Sequence, residues 1–203
     1  RHTSTYHQRY LPRAVRYDRW CNALATRIVS LSQATDEALR VEGAPASKIR
    51  KVAHGFDLRQ FADVDPRRVL RVRERWGIPE KGPRVGVIAR QIEWKGIQHV
   101  IPAFKEFLRG NPNACLILAN ATGPYHARIS ELLRDLPQES VRAIPFEEDS
   151  PALYRLFDLY VHAPIDPYCE AFGQTYVEAL ASGVPSVFTL SGISSVTSNF
   201  EVA

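Results

Sequence analysis

The sequence contains no methionine and only three cysteines, Cys21, Cys115 and Cys169. Odd in number, far apart and without CxxC spacing, they build neither a disulfide scaffold nor a zinc finger, and a reducing compartment fits them better. No apolar run approaches the roughly 18 residues that a membrane-spanning helix needs. No secretory signal opens the chain. A chain that starts at Arg1 and lacks methionine throughout is expected to be a fragment of a longer one. No Walker loop, GxGxxG, HExxH or GxSxG occurs, so kinase-type, nicotinamide and hydrolase chemistries lose their best support. Zinc-finger, RNP and basic-zipper spacings are missing too, and nucleic acid is not an expected partner. What is present is ordinary for a globular chain: 203 residues, 45% hydrophobic and 24% charged. That excludes a largely disordered chain and allows one domain, or one domain with a piece of another.

Charge is unevenly spread. Residues 1–90 carry 19 Lys/Arg against 9 Asp/Glu, and residues 91–203 carry 7 against 13. A basic first half suits an anionic partner such as phosphates or an anionic membrane face, or it is simply a solvated basic surface.

The second half alternates short apolar runs with amphipathic stretches. Strands are expected at Arg84–Ala89, Ala114–Ala119, Val141–Ile144, Leu159–His162 and Ser186–Leu190. Between them helices are expected at Gly96–Arg109, near His126–Leu136, at Pro151–Phe157 and at Phe172–Ser182, each read from its 3.6-residue apolar period or its stop signals. Continuous apolar strands joined by such helices predict βαβ units and a doubly wound parallel sheet, a Rossmann-like α/β domain from about residue 84 to 203. Upstream, a helix at Tyr17–Ala25, a strand at Arg27–Leu31, a helix capped by Ser32 and a strand at Ile49–Ala53 read as the tail of a preceding α/β domain, residues 1–53. Residues 54–83 then form a connection holding a helix at about Arg67–Trp76.

Ligands of such sheets sit outside the carboxyl ends of the strands. Arg90 and Lys95 follow the first strand of the second domain, and two cations five residues apart can converge on one diphosphate. They can equally be ordinary surface cations. Glu170-Ala-Phe-Gly173 precedes a helix that contains Glu178. Gly173 near that helix start could offer backbone N–H groups to phosphate, and the two carboxylates could accept sugar hydroxyls; one surface Glu and one ion-paired Glu would fit as well. Ser191-Gly192-Ile193-Ser194 follows the last strand and could add N–H groups, or be a plain turn. His162 ends a strand at the ligand edge, where it can touch a sugar or pack in the core. His99 and His126 read as helix-surface residues, and His2 with His7 is too loosely spaced for a metal pair.

These segments together resemble glycosyltransferase family 4, retaining enzymes of the GT-B fold with two facing Rossmann-like domains. Ile49–Phe61 resembles the family's "NGVD…F" junction, with His54 for Asn. Arg84–Gly96 resembles "GR-x4-KG", with Ala89 for Gly. Asp158–Thr189 resembles the "PS…E-x-FG-x4-E-A-x-A-x-G-x-P-V" signature, with Ala163-Pro164 in place of Pro-Ser and Ser186 for the final Val. The resemblance implies transfer of a hexosyl unit from a UDP- or GDP-linked sugar to a saccharide or lipid-linked acceptor, as in polysaccharide biosynthesis. No cofactor or metal is implied. Arg90 and Lys95 would hold the leaving diphosphate, Glu170 with Phe172 and Gly173 would contact the sugar, and Glu178 would bind the ribose. Pro145 and Phe146 would lie against the base, and Arg1-His2 would end a first-domain strand near the donor. Two alternatives are a nucleotide-sugar epimerase and a non-catalytic nucleotide-binding remnant. The expected location is cytoplasmic, with peripheral contact at the inner membrane face.

Overall fold

The computed structural model describes residues 6–9, 11, 13–167 and 169–191. Two units emerge within them. The first comprises residues up to 56, 166–173 and 189 onward; the second comprises residues 57–165 and 174–188.

In the first unit, helix α1 (Ala14–Leu24) leads into strand β1 (Ile28–Ser30). Ser32 then caps helix α2 (Gln33–Val41): its backbone is extended and its hydroxyl accepts from the Thr35 amide at 3.2 Å. This is the cap expected from sequence, satisfying one of the free N–H groups of the first turn. Strand β2 (Ile49–Lys51) pairs in parallel with β1, Ile28 opposite Ile49. Both strands are shorter than expected, and Val52 and Ala53 lie exposed beyond the pairing. Ile28, Leu39 and Ala44 form the small core.

The second unit opens with helices α3 (Arg59–Ala62) and α4 (Pro66–Arg75). Asp65 caps α4 and Pro66 occupies its first turn, where a missing N–H costs nothing. Both helices lie in the stretch read from sequence as a connection, and Phe61, Val64, Val72 and Ile78 join a sheet core. There follow β3 (Arg84–Ile88), α5 (Ile97–Gly110), β4 (Cys115–Ala119), α6 (His126–Leu133), β5 (Val141–Ile144), α7 (Ser150–Tyr154), β6 (Leu159–His162), α8 (Gln174–Ala181) and β7 (Ser186–Phe188). All five of these strands pair in parallel, in the order β5-β4-β3-β6-β7. Every residue of β4 is buried. Its alternate side chains feed two cores: Leu116 and Leu118 pack with α5 and α6, and Ile117 with α7 and α8. The doubly wound parallel sheet expected from the sequence is therefore present.

Apart from the short α3 and a turn at Glu93–Lys95, which were not expected, the differences lie at element ends. Thr189 and Leu190, expected to end the last strand, are exposed outside it. α8 begins two residues later than expected because Gly173 adopts φ +88°. α6 stops at Leu133 and α7 at Tyr154, each short of its last apolar residue. Apolar side chains continue to pack after the backbone has left the helix.

Candidate functional site

The strand order places a topological switch between β3 and β6: the chain winds from β3 through β4 to β5, then restarts on the other side of β3. At such a point the loops leaving the two strands part, and a ligand crevice forms outside their carboxyl ends. Arg90 leaves β3 here and is exposed. The next residues make one tight turn, Glu93–Lys95, that ends on Gly96 in the left-handed region at φ +72°. A Cβ at Gly96 would collide with the Ala163 carbonyl, so glycine is required both by φ and by close approach to the loop after β6. The Ile165 amide also donates to the Trp94 carbonyl at 3.2 Å. Arg90 and the half-buried Lys95 are thus carried on a loop stitched to the other lip of the switch point.

A residue not singled out from the sequence fixes the base of that loop. Gln91 is buried, its amide donates to the Thr122 carbonyl at 2.8 Å, and its carbonyl accepts from the Tyr125 amide at 2.9 Å. Its side-chain oxygen lies 2.5 Å from His126 Nδ1. His126 is exposed, as read from the sequence, yet it braces this loop. The partnership spans 35 positions in the chain, and no local pattern signals it.

Glu178 is buried on α8. Gln174 Nε2, one turn earlier, donates to it at 2.8 Å, and the Tyr154 hydroxyl donates at 3.1 Å. Burial pushes its carboxyl above the ordinary value, and the two hydrogen bonds offset that only in part. Burial likewise holds the Tyr154 hydroxyl well above its usual range, so it remains a donor. In the sequence Tyr154 is only one residue of the helix expected at Pro151–Phe157.

Pro145 and Phe146 leave β5, both exposed. The segment behind them is anchored by Glu147, a buried carboxylate that accepts from Trp76 Nε1 at 2.7 Å, Arg75 Nη1 at 3.1 Å and the Asp149 amide at 2.9 Å. Burial alone would raise its pKa, but these bonds and the Arg75 charge outweigh it and hold the group below the ordinary value. His162 is packed in the core, its ring 4.9 Å edge-on from Tyr176 and stacked 6.3 Å from Tyr160.

The remaining residues belong to the first unit. Glu170 is buried, and its amide donates to the Ser191 hydroxyl at 3.1 Å. Ser191 is itself fully buried beside the carbonyls of Asp166 and Pro167. The Ala171 carbonyl accepts from the Ser32 hydroxyl. The Phe172 ring stacks on Phe56 at 5.4 Å and lies 5.4 Å from His54. The Glu170–Gly173 loop is therefore held by backbone capture and an aromatic cluster. Gly192, Ile193 and Ser194 lie outside the described residues, as do Arg1 and His2.

Comparison with known proteins bears on the family and the fold. The profile of the family described as glycosyl transferases group 1 matches residues 70–198. Among curated proteins, the chain is 29% identical over 161 residues to mannosylfructose-phosphate synthase of Agrobacterium fabrum, covering 74% of this chain and 34% of that one. It is 32% identical over 158 residues to the GDP-mannose-dependent alpha-(1-6)-phosphatidylinositol monomannoside mannosyltransferase of Mycolicibacterium smegmatis, covering 73% and 40%. The chain thus spans roughly a third to two fifths of the length of these relatives. Among solved structures, HepE of Anabaena in complex with UDP and glucose superposes with a TM-score of 0.77 at 24% identity, over 93% of this chain and 51% of that one. This likeness shows the fold, which is the Rossmann-like α/β fold of GT-B glycosyltransferases. Since the matched profile spans well over half of its residues, the chain belongs to the glycosyl transferases group 1 family.

Proposed function

We propose that this chain forms most of the donor half of a retaining glycosyltransferase that moves a hexosyl unit from a UDP- or GDP-linked sugar to a saccharide or lipid-linked acceptor. In this reading residues 1–53 end the acceptor domain, 54–83 connect the two domains, and 84–203 form the donor domain. The observation that carries it is the Arg90–Gly96 loop at the switch point, where two cations stand on a backbone that only glycine can close. Breaking the anomeric C–O bond develops positive charge on the sugar and negative charge on the departing diphosphate. Arg90 as a bidentate fork and Lys95 as a point charge favour that second charge without reorganising, a role that elsewhere falls to a divalent metal. Glu178 accepts ribose hydroxyls, Pro145 and Phe146 flank the base, and Glu170 with the Phe172 and Gly173 backbone meets the sugar. Gly192 completes the donor side, whereas His162, packed in the core against Tyr160 and Tyr176, takes the structural alternative. Retention follows from same-face attack, with the leaving phosphate taking the proton of the acceptor hydroxyl. The mannosyltransferase and the UDP-bound structure named above support a nucleotide-sugar donor by their own described ligands. A cytoplasmic enzyme meeting the inner membrane face fits the basic first half.

Calorimetric titration with UDP and with GDP, in metal-free buffer, tests the reading. Saturable binding of one nucleotide is expected, weakened about tenfold or more by Arg90→Ala, Lys95→Ala or Glu178→Ala, since each removes a charge-assisted hydrogen bond. Binding of neither nucleotide by the folded chain, or identical binding by all variants, would defeat it. In the longer protein, nucleotide release that requires an acceptor separates a transferase from an epimerase.

A further inference from the structure

Tyr154 of α7 brings a hydroxyl into an apolar core and is inaccessible to solvent. Its ring is wedged among three others, edge-on to Phe61 at 6.0 Å, Phe157 at 5.7 Å and Tyr160 at 5.6 Å between centroids. The helix that carries it is itself tied down, because Asp149 caps α7 and pairs with Arg68 of α4. In a close-packed interior a ring so enclosed cannot swing, and its hydroxyl has one position. Phenylalanine would fill the same space with no hydroxyl to satisfy. The tyrosine is therefore a cost that packing alone does not explain.

The hydroxyl meets Glu178 Oε2 of α8 at 3.1 Å, with the Thr175 carbonyl of the same helix at 3.3 Å. The other carboxylate oxygen, Oε1, accepts from Gln174 Nε2 at 2.8 Å. Gln174 is exposed and can turn away, whereas Tyr154 cannot. An ionised carboxylate accepts at about four lone-pair positions, two on each oxygen. With one donor on each oxygen among the described residues, one position on each is left. Such a pair suits two vicinal hydroxyls, each donating to its own oxygen. Burial opposes ionisation of this carboxyl, and the Gln174 and Tyr154 bonds favour it.

We propose that Tyr154 is a positioning residue for nucleotide recognition, fixing the Glu178 carboxylate from the core so that its two oxygens accept the two ribose hydroxyls of the donor. Tyr154 acts only through Glu178, so the proposal rests on the ribose role given to that residue above.

Calorimetric titration of the wild type, Tyr154→Phe, Glu178→Ala and the double variant provides the test, with UDP and GDP each beside its 2′,3′-dideoxy analogue. The wild type is expected to bind the dideoxy form about tenfold or more weakly than the ribonucleotide. Tyr154→Phe keeps the ring and is expected to weaken ribonucleotide binding about fivefold. It should leave the dideoxy analogue unaffected, because that ligand gives Glu178 nothing to accept. In the Glu178→Ala background the same change should have no further effect. A tyrosine that merely packs α7 on α8 would weaken both ligands alike and add its loss to that of Glu178→Ala, and either result overturns the proposal. So does a Tyr154→Phe variant that binds like the wild type while Glu178→Ala loses the ribose preference, which would leave the ribose reading standing. A wild type that binds both forms alike, or neither nucleotide, removes the ribose reading itself and this role of Tyr154 with it.

Discussion

Glu178 shows how burying one carboxylate carries a stability cost, which the donor role proposed above would account for. Its seven-residue separation from Glu170 is visible in the sequence, and with it the suggestion of a ligand carboxylate. Its protonation is not, because that depends on burial and on Tyr154, 24 positions earlier in the chain. Burial raises the folded-state pKa above the ordinary value of 4.5. The folded chain then holds the proton more tightly than the unfolded one, so the contribution is fully present below about pH 4.5 and is lost as pH rises through the folded pKa. Glu178→Gln keeps the shape and removes the ionisation. Thermal unfolding is expected to show the variant gaining on the wild type as pH rises from 4 towards neutrality. A gap that stayed constant with pH would mean that Glu178 is ionised without penalty. The same variant should bind nucleotide more weakly, since a neutral amide accepts ribose hydroxyls less well than a carboxylate.

Between elements, Asp149 has the opposite sign. It caps α7 through the Ala152 amide at 3.2 Å and makes a two-pronged pair with Arg68 of α4, with bonds of 2.6 and 2.9 Å. The Arg68 hydrogen bond first, then the cap and nearby positive charge, hold its carboxyl below the ordinary range against a smaller desolvation cost. Its contribution is present above the ordinary carboxylate pKa and is lost as pH falls through the lowered one. Asp149→Ala is expected to cost about 1–2 kcal/mol near neutrality, mostly as lost cap, with the deficit shrinking in acid. Urea unfolding at two pH values reads this directly. A deficit of equal size at both would show that the charge contributes nothing. β3 and β4 were legible as continuous apolar runs, and α5 because its apolar residues recur at the helical period over the whole element. The turn at Glu93–Lys95, the short α3 and the Gln91–His126 brace were not. They are set by contacts between distant segments: the Ala163 carbonyl against Gly96, the Tyr154 ring against Phe61, and the loop after β4 against Gln91.

At the scale of the whole molecule, the two units differ in what holds them. The second has a five-stranded sheet with apolar cores on both faces, and Leu116, Ile117 and Leu118 of β4 are inaccessible to solvent. The first pairs three residues of β1 with three of β2 over a core of Ile28, Leu39 and Ala44. A two-stranded sheet over so small an apolar cluster, among the described residues, is marginal, whereas a strand buried between two layers opens only when the unit unfolds. Parallel sheets are normally covered on both faces, yet Val29 of β1 is 43% exposed. Hydrogen exchange of the whole chain should therefore give its slowest amides in β4 and the adjoining parts of β3. Amides of β1 and β2 should exchange faster by a factor that grows with the stability of the second unit. Adding the nucleotide that binds is expected to slow exchange in residues 90–96 and 174–178 most. Slowing that spared both segments would place the ligand elsewhere and remove the physical basis for assigning Arg90, Lys95 and Glu178 to one donor.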